Sequence, residues 1–318
     1  MLYSKPDFID HPTKSDRLDR SFLPPFKIKL ETVIFIVILI ASILSRFAML
    51  EPRVMSHDET SHVYFSWFFY KGNGYAHDPV THGPLQFHLV ALSYFLFGDS
   101  DTSARIPAAL FSIATVGFIW FFRRYLGRAG ALVAALMFTI SPYMLYYGRY
   151  VRNEAFVALF GVISIWAILR YLETGQHRFL YWLTAVMVLH FATKETSFIY
   201  AAQALLFLGL YFVYRITQKQ WQKPNFRAFF LLALILALVF LSAGLSLRSL
   251  ADQTLPTGEA QYPQLAALPQ FIPLALMTLG GIFLVAAIVF ILSGYTLTLV
   301  RQERSFDLVM LLGTLVLP

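Results

Sequence analysis

The chain contains no cysteine. That excludes disulfides, thiolate nucleophiles and Cys-bearing zinc sites. Charge is scarce as well. Only 14% of the 318 residues are Asp, Glu, Lys or Arg, whereas 58% are hydrophobic and mean hydropathy is +0.61. No soluble domain of this size needs so much apolar surface, so composition points to an integral membrane protein. The sequence has no glycine-rich phosphate loop, no dinucleotide fingerprint, no internal repeat and no low-complexity tract. The formal charge of +7 does not indicate nucleic acid, because basic excess in polytopic proteins gathers in cytoplasmic loops.

What is present is a series of apolar runs long enough to cross ~30 Å of hydrocarbon. They fall at 30–50, 105–122, 129–147, 154–172, 178–193, 196–214, 228–247 and 271–299. Residues 1–29 form a polar tail, too long and too acidic for a signal peptide, so the first span is an uncleaved anchor. The shorter run Leu85–Phe97 decides the topology, because counting it as a span inverts everything after it. Left out of the count, with the N-terminus cytoplasmic, it puts most of the 25 basic residues on the inner side, including Arg123, Arg124, Arg128, Arg170, Arg215, Lys219 and Arg301. Counted in, it sends most of them outside, against the positive-inside rule. Leu85–Phe97 is therefore read as an amphipathic helix on the outer face, within one long external loop over 51–104. Asp99, Ser100, Asp101 and Thr102 offer N-caps for the next span. Residues 248–270 form a second external loop. A final apolar run from Leu308 to Pro318 is too short to cross, which leads us to expect a fragment of a longer protein.

This topology gathers polar clusters on one face: His57-Asp58-Glu59, His77 to Pro84, Arg149 to Glu154, and Lys194-Glu195. Each has two readings. Asp58 and Glu59 either cap a helix start or provide a general base with a neighbour that orients substrate or binds a cation. His77, Asp78 and His82 are either ordinary loop polar groups or converge with Asp58 on a divalent metal. Arg149 and Arg152, with Asn153 as a candidate N-cap, either anchor the interface or capture a phosphate. Lys194 and Glu195 are either a surface pair or a further phosphate contact. Span interiors are almost free of charge, with His190 the deepest titratable group. That argues against a secondary transporter, although Gly280-Gly281 offers a possible helix break of the kind transporters use.

The order of these segments resembles the GT-C superfamily of membrane glycosyltransferases. It is most similar to the protein O-mannosyltransferase and aminoarabinose–lipid A transferase branch, and within it to the flippase-activity-associated glycosyltransferases. The residues carrying the resemblance are His57-Asp58-Glu59, His82-Gly83-Pro84, Phe97-Gly98, Ala104-Arg105-Ile106-Pro107, Ser141-Pro142, Tyr146-Tyr147-Gly148-Arg149-Tyr150-Val151-Arg152-Asn153-Glu154 and Thr193-Lys194-Glu195. They cover residues 30–215.

The resemblance implies an all-α, polytopic GT-C-type helical bundle over 30–318, with interfacial helices in the first extracytoplasmic loop. It also implies inverting transfer of a mannose-like hexose from a polyprenyl- or dolichyl-phosphate donor to a protein, lipid or glycan acceptor. Transfer would occur at the extracytoplasmic face of the plasma (inner) membrane. Asp58 would be the base, with Glu59 beside it in the catalytic set. His82, Arg149, Arg152 and Lys194 would bind substrate, and Asp78 and Glu154 would join Asp58 around a divalent metal, if one is used. Where aminoarabinose transferases have Lys-Pro-Pro-Leu this chain has His82-Gly83-Pro84-Leu85, so a phosphate-contacting lysine is missing there. Its role falls to His82 or to Lys194, Arg149 and Arg152. Two other classes compete: a lipid or glycolipid transporter or flippase accessory without catalysis, and a purely structural membrane protein.

Overall fold

The computed structural model describes residues 29–76, 82–253 and 261–316, and among these no strand occurs. The all-α polytopic class is therefore correct. Among the described residues, six helical elements are long and apolar enough to cross a membrane: Leu30–Phe47, Asp101–Ile140, Glu154–Thr174, Ser197–Thr217, Pro224–Ala251 and Phe271–Gly294.

Helix α1 (Leu30–Phe47) packs against α4 (Asp101–Phe118) and α5 (Arg123–Ile140). A short tight-wound turn of helix, Ile119–Phe122, follows α4, and the backbone then reverses at Gly127, whose φ of +71° suits glycine alone. The 40-residue element Asp101–Ile140 is thereby folded into two arms. They run antiparallel: Val116 meets Ala135 in one core, and Arg46 bridges Ser112 to Thr139. Ser100 starts α4 with a capping box shared with Ser103, and the expected cap is thus found at one of its four candidates.

The apolar run 129–147 is not one helix. Ser141, extended because a proline follows it, ends α5, and Pro142 opens the separate short helix α6 (Pro142–Tyr147). The long helix α7 (Glu154–Thr174) occupies the centre, packed on α4 and on α8 (Arg178–Phe191). With 14 residues, α8 is shorter than the ~20 a full crossing requires. Of the eight expected spans, two fall short by length: α8, and the run 129–147, whose helix begins after Gly127 and ends at Ile140.

Beyond α9 (Ser197–Thr217), the helices α10 (Pro224–Ala251), α11 (Pro263–Ala266) and α12 (Phe271–Gly294) follow. Here the possible helix break offered to the transporter alternative is not found. Gly280-Gly281 does not break α12, which runs through it; Gly280 instead lets α10 approach, since a Cβ there would lie 2.8 Å from the Leu241 nitrogen. After a short turn, α13 (Leu297–Val300), the last helix α14 (Arg304–Val316) buries Leu308 and Leu312 against α7, α8 and α9.

The loop between α1 and α4 is helical too. It holds α2 (His57–Phe68), a π-turn at Phe69–Asn73, and α3 (Leu85–Phe97). The amphipathic reading of α3 needs correction. Its buried side includes Gln86 and Ser93, while Leu92, Phe95, Leu96 and Phe97 are exposed. That is the arrangement of a helix laid against lipid rather than water. Exposed apolar residues along α1, α5 and α10, such as Val37, Met137 and Leu238, are likewise suited to a lipid surface.

Candidate functional site

At the end of the bundle where α1 finishes and α4 and α7 begin, the chain concentrates charge. The organising contact is buried. Glu59, on the first turn of α2, is fully enclosed and receives Arg105 Nε at 2.7 Å and Nη2 at 3.1 Å, Arg53 Nη2 at 2.8 Å and the Val151 N–H at 3.2 Å. Both carboxylate oxygens are thus saturated. Arg105, equally buried, also donates to the carbonyls of Leu50 and Arg53. One ion pair ties the 50–53 segment, α2, α4 and the 149–153 turn together.

Asp58, one residue earlier, faces the other way. It is half-exposed, and Oδ2 accepts from Arg152 Nη1 at 2.8 Å. Arg152 Nε lies 3.8 Å from Glu154, and Glu154 Oε1 accepts from Lys194 Nζ at 2.8 Å. Asp58, Arg152, Glu154 and Lys194 form an alternating row of charge drawn from α2, the 149–153 turn, the start of α7 and the turn after α8. Asn153 occupies the position before α7, but its side chain makes no capping bond.

His82 joins the row from the loop. Its Nδ1 is 2.7 Å from Glu195 Oε2, and it is held at a φ of +69°, uncommon for a residue with a side chain. What holds it is a backbone clamp: Gly83 N–H donates to the Thr193 carbonyl (3.1 Å) and Leu85 N–H to that of Ala192 (3.0 Å). Any Cβ at position 83 would lie 2.3 Å from the Ala192 oxygen. Gly83→Ala is therefore expected to force the clamp apart and lower thermal stability by about 1–3 kcal/mol. Gly281→Ala, where a Cβ meets nothing within 4 Å, is the tolerated comparison, and equal unfolding midpoints for the two variants would refute the clamp.

Arg149 points elsewhere. Its Nη2 donates to the Ala48 and Met49 carbonyls, closing the end of α1. Asp78 and its neighbours 77–81 lie outside the described residues, and no group of three or more His, Asp or Glu suited to a metal is found among those described.

One residue escaped the sequence reading. His62 sits on α2 one turn after Asp58, buried, with Nδ1 unpartnered. Burial, then the nearby Arg152 and His82, push its imidazole down to about 4, against the opposing pull of Glu154 and Asp58. The i, i+4 spacing from Asp58 was the available signal. Two of the charged groups near it, Arg152 and Glu154, also keep a buried polar atom without a partner. Unpaired buried polar groups are costly, so each of these atoms needs a partner such as water, an ion or a ligand.

The depressed His62 has a consequence for pH. Between 6.5 and about 4 the unfolded chain binds a proton that the folded chain does not, so acidification through that window removes stability. At about pH 5 the loss relative to neutral pH is about 2 kcal/mol. His62→Gln should flatten that slope in unfolding measurements at the two pH values; an identical slope in both proteins would contradict the assignment.

A family model described as dolichyl-phosphate-mannose-protein mannosyltransferase matches residues 81–245. No curated protein and no solved structure matches the chain.

Proposed function

The chain belongs to the dolichyl-phosphate-mannose-protein mannosyltransferase family, a family of membrane glycosyltransferases, and from that premise we propose that it transfers a mannose-like hexose from a polyprenyl- or dolichyl-phosphate donor. The acceptor is a hydroxyl of a protein, lipid or glycan at the extracytoplasmic face of the plasma membrane. The observation that carries the proposal is the row Asp58–Arg152–Glu154–Lys194, set at the end of a lipid-facing bundle.

In this scheme Asp58 takes the proton of the acceptor hydroxyl as its oxygen attacks the anomeric carbon. The bond from that carbon to the phosphate oxygen breaks, configuration inverts, and the lipid phosphate departs as an anion. No general acid is needed, because the leaving group is already a weak base. Arg152 and Lys194 meet the charge developing on the phosphate. Before donor binds, both cations are occupied by Asp58 and Glu154. A donor phosphate that claims Arg152 therefore frees Asp58 for the acceptor, which makes deprotonation wait for the donor. Arg105 and Glu59 act at one remove, by fixing the turn that carries Asp58.

Asp58 and Glu154 each already hold a basic side chain. A divalent ion would have to strip these carboxylates of their partners, so that donor set does not fit a metal and no step is routed through one. The sidedness rests on the distribution of basic residues.

The test is transfer of labelled sugar in membranes from polyprenyl-phosphate-mannose and polyprenyl-phosphate-glucose, with acceptors of each class supplied. Labelled product from either donor supports the proposal. A folded protein that transfers from neither, yet moves the lipid across the bilayer, would place it with the transporters.

A further inference from the structure

The opposite end of the bundle carries a second feature that transfer chemistry does not use. An open recess of about 880 Å³ lies between the start of α1, the turn joining α4 to α5, and the end of α7. Along α4 it is about 24 Å from Arg105, by helical rise. Its wall includes Lys29, Arg123, Arg124, Arg128 and Arg170.

Those five basic side chains face only two carboxylates among the described residues. Glu173 serves Arg124 and Arg170, and Glu31 lies 3.1 Å from Arg128. Lys29 and Arg123 have no acidic partner among the described residues. The Arg123 guanidinium lies over the Trp120 ring at 4.1 Å, which fixes its orientation and leaves its donors unclaimed. The recess is thus an anion site by charge. Its lining also includes three aromatic rings, Trp120, Phe121 and Trp166. Rings of this kind settle at headgroup depth in a bilayer. From the lining residues Glu31 and Thr32, α1 continues into an exposed apolar flank, with Val33 and Val37 open to the surroundings.

We propose that this recess binds the phosphate of an anionic phospholipid, with Lys29 and Arg123 as its contacts and the acyl chains along the outer flank of α1. A soluble anion would satisfy the cations equally well. It would make no use of the aromatic rim or the apolar flank, and these favour a lipid.

The experiment uses the full chain purified in detergent, with phosphatidylglycerol, phosphatidylcholine and inorganic phosphate as separate probes. Lipid retention is read by native mass spectrometry and protection by thermal unfolding. Each cation near a lipid surface contributes about a fivefold factor, so Lys29→Gln with Arg123→Gln should weaken phosphatidylglycerol binding about 30-fold. Arg123→Lys should restore most of the loss due to Arg123. If the double variant is lost in purification, Arg123→Gln alone should weaken binding about fivefold by the same factor. Equal retention of the two lipids, or unchanged binding in the variants, would overturn the proposal. Protection by inorganic phosphate equal to that by phosphatidylglycerol would overturn it in favour of a soluble-anion site.

Discussion

Asp58→Asn is expected to lower the transfer rate by about 10²–10⁴-fold, the range general-base catalysis contributes, with little change in stability. The asymmetry follows from its position. Asp58 is half-exposed and joined to the fold through one strong ion pair, to Arg152. Exposed pairs of this kind contribute at most about 1 kcal/mol, so the asparagine protein should purify and unfold almost as the wild type does. Donor binding should survive the change or tighten, because Arg152 no longer has a carboxylate to leave. Turnover and donor affinity, measured together with polyprenyl-phosphate-mannose, separate this from general damage. A rate within a few-fold of wild type would remove Asp58 from the chemistry and with it the proposed mechanism.

Its neighbour should behave in the opposite way. Glu59→Gln leaves Arg105 fully buried without its counter-charge, and breaking such a pair from one side costs about 3–5 kcal/mol. The loss should appear first as failure of the 50–59 segment to hold, since Arg105, Arg53 and the Val151 N–H all converge on that carboxylate. Replacing both partners with apolar residues of similar volume, Glu59→Leu with Arg105→Met, should cost less than the single change, because no bare charge is then left inside. Unfolding midpoints and limited proteolysis of the two variants decide it. If Glu59→Gln proves the milder change, the buried pair does not organise the loop.

The contrast between these adjacent carboxylates was not legible in the sequence. Consecutive residues on a helix point about 100° apart, so one faced the cluster and its neighbour the core; which did which depended on Arg105, far along the chain. Hydropathy located the major helices because lipid demands continuous apolar surface. It could not register the break at Ser141, which depends on how a pre-proline residue bends, or the shortness of α8. The charged row was visible as separate motifs, and their pairing was not. Nothing in Thr193-Lys194-Glu195 announces that Lys194 meets Glu154 while Glu195 meets His82. His62 went unnoticed because a lone histidine on a half-apolar helix is usually a packing residue. Only the fold shows it among Asp58, Arg152 and Glu154.

The clamp between Gly83 and Thr193 also sets a timetable. His82 and Glu195 are 113 positions apart, and Asp58 and Arg152 are 94 apart. During synthesis at about 5–20 residues per second, the loop that carries Asp58 is complete roughly 5–20 s before the turn after α8 leaves the ribosome. Through that interval the strained His82 turn lacks the backbone acceptors that secure it, while several further helices are still entering the bilayer. Assembly of the charged row is therefore a late event that reports whether the intervening helices have inserted in register. A single misplaced helix between α4 and α8 would leave the two halves on opposite sides of the membrane.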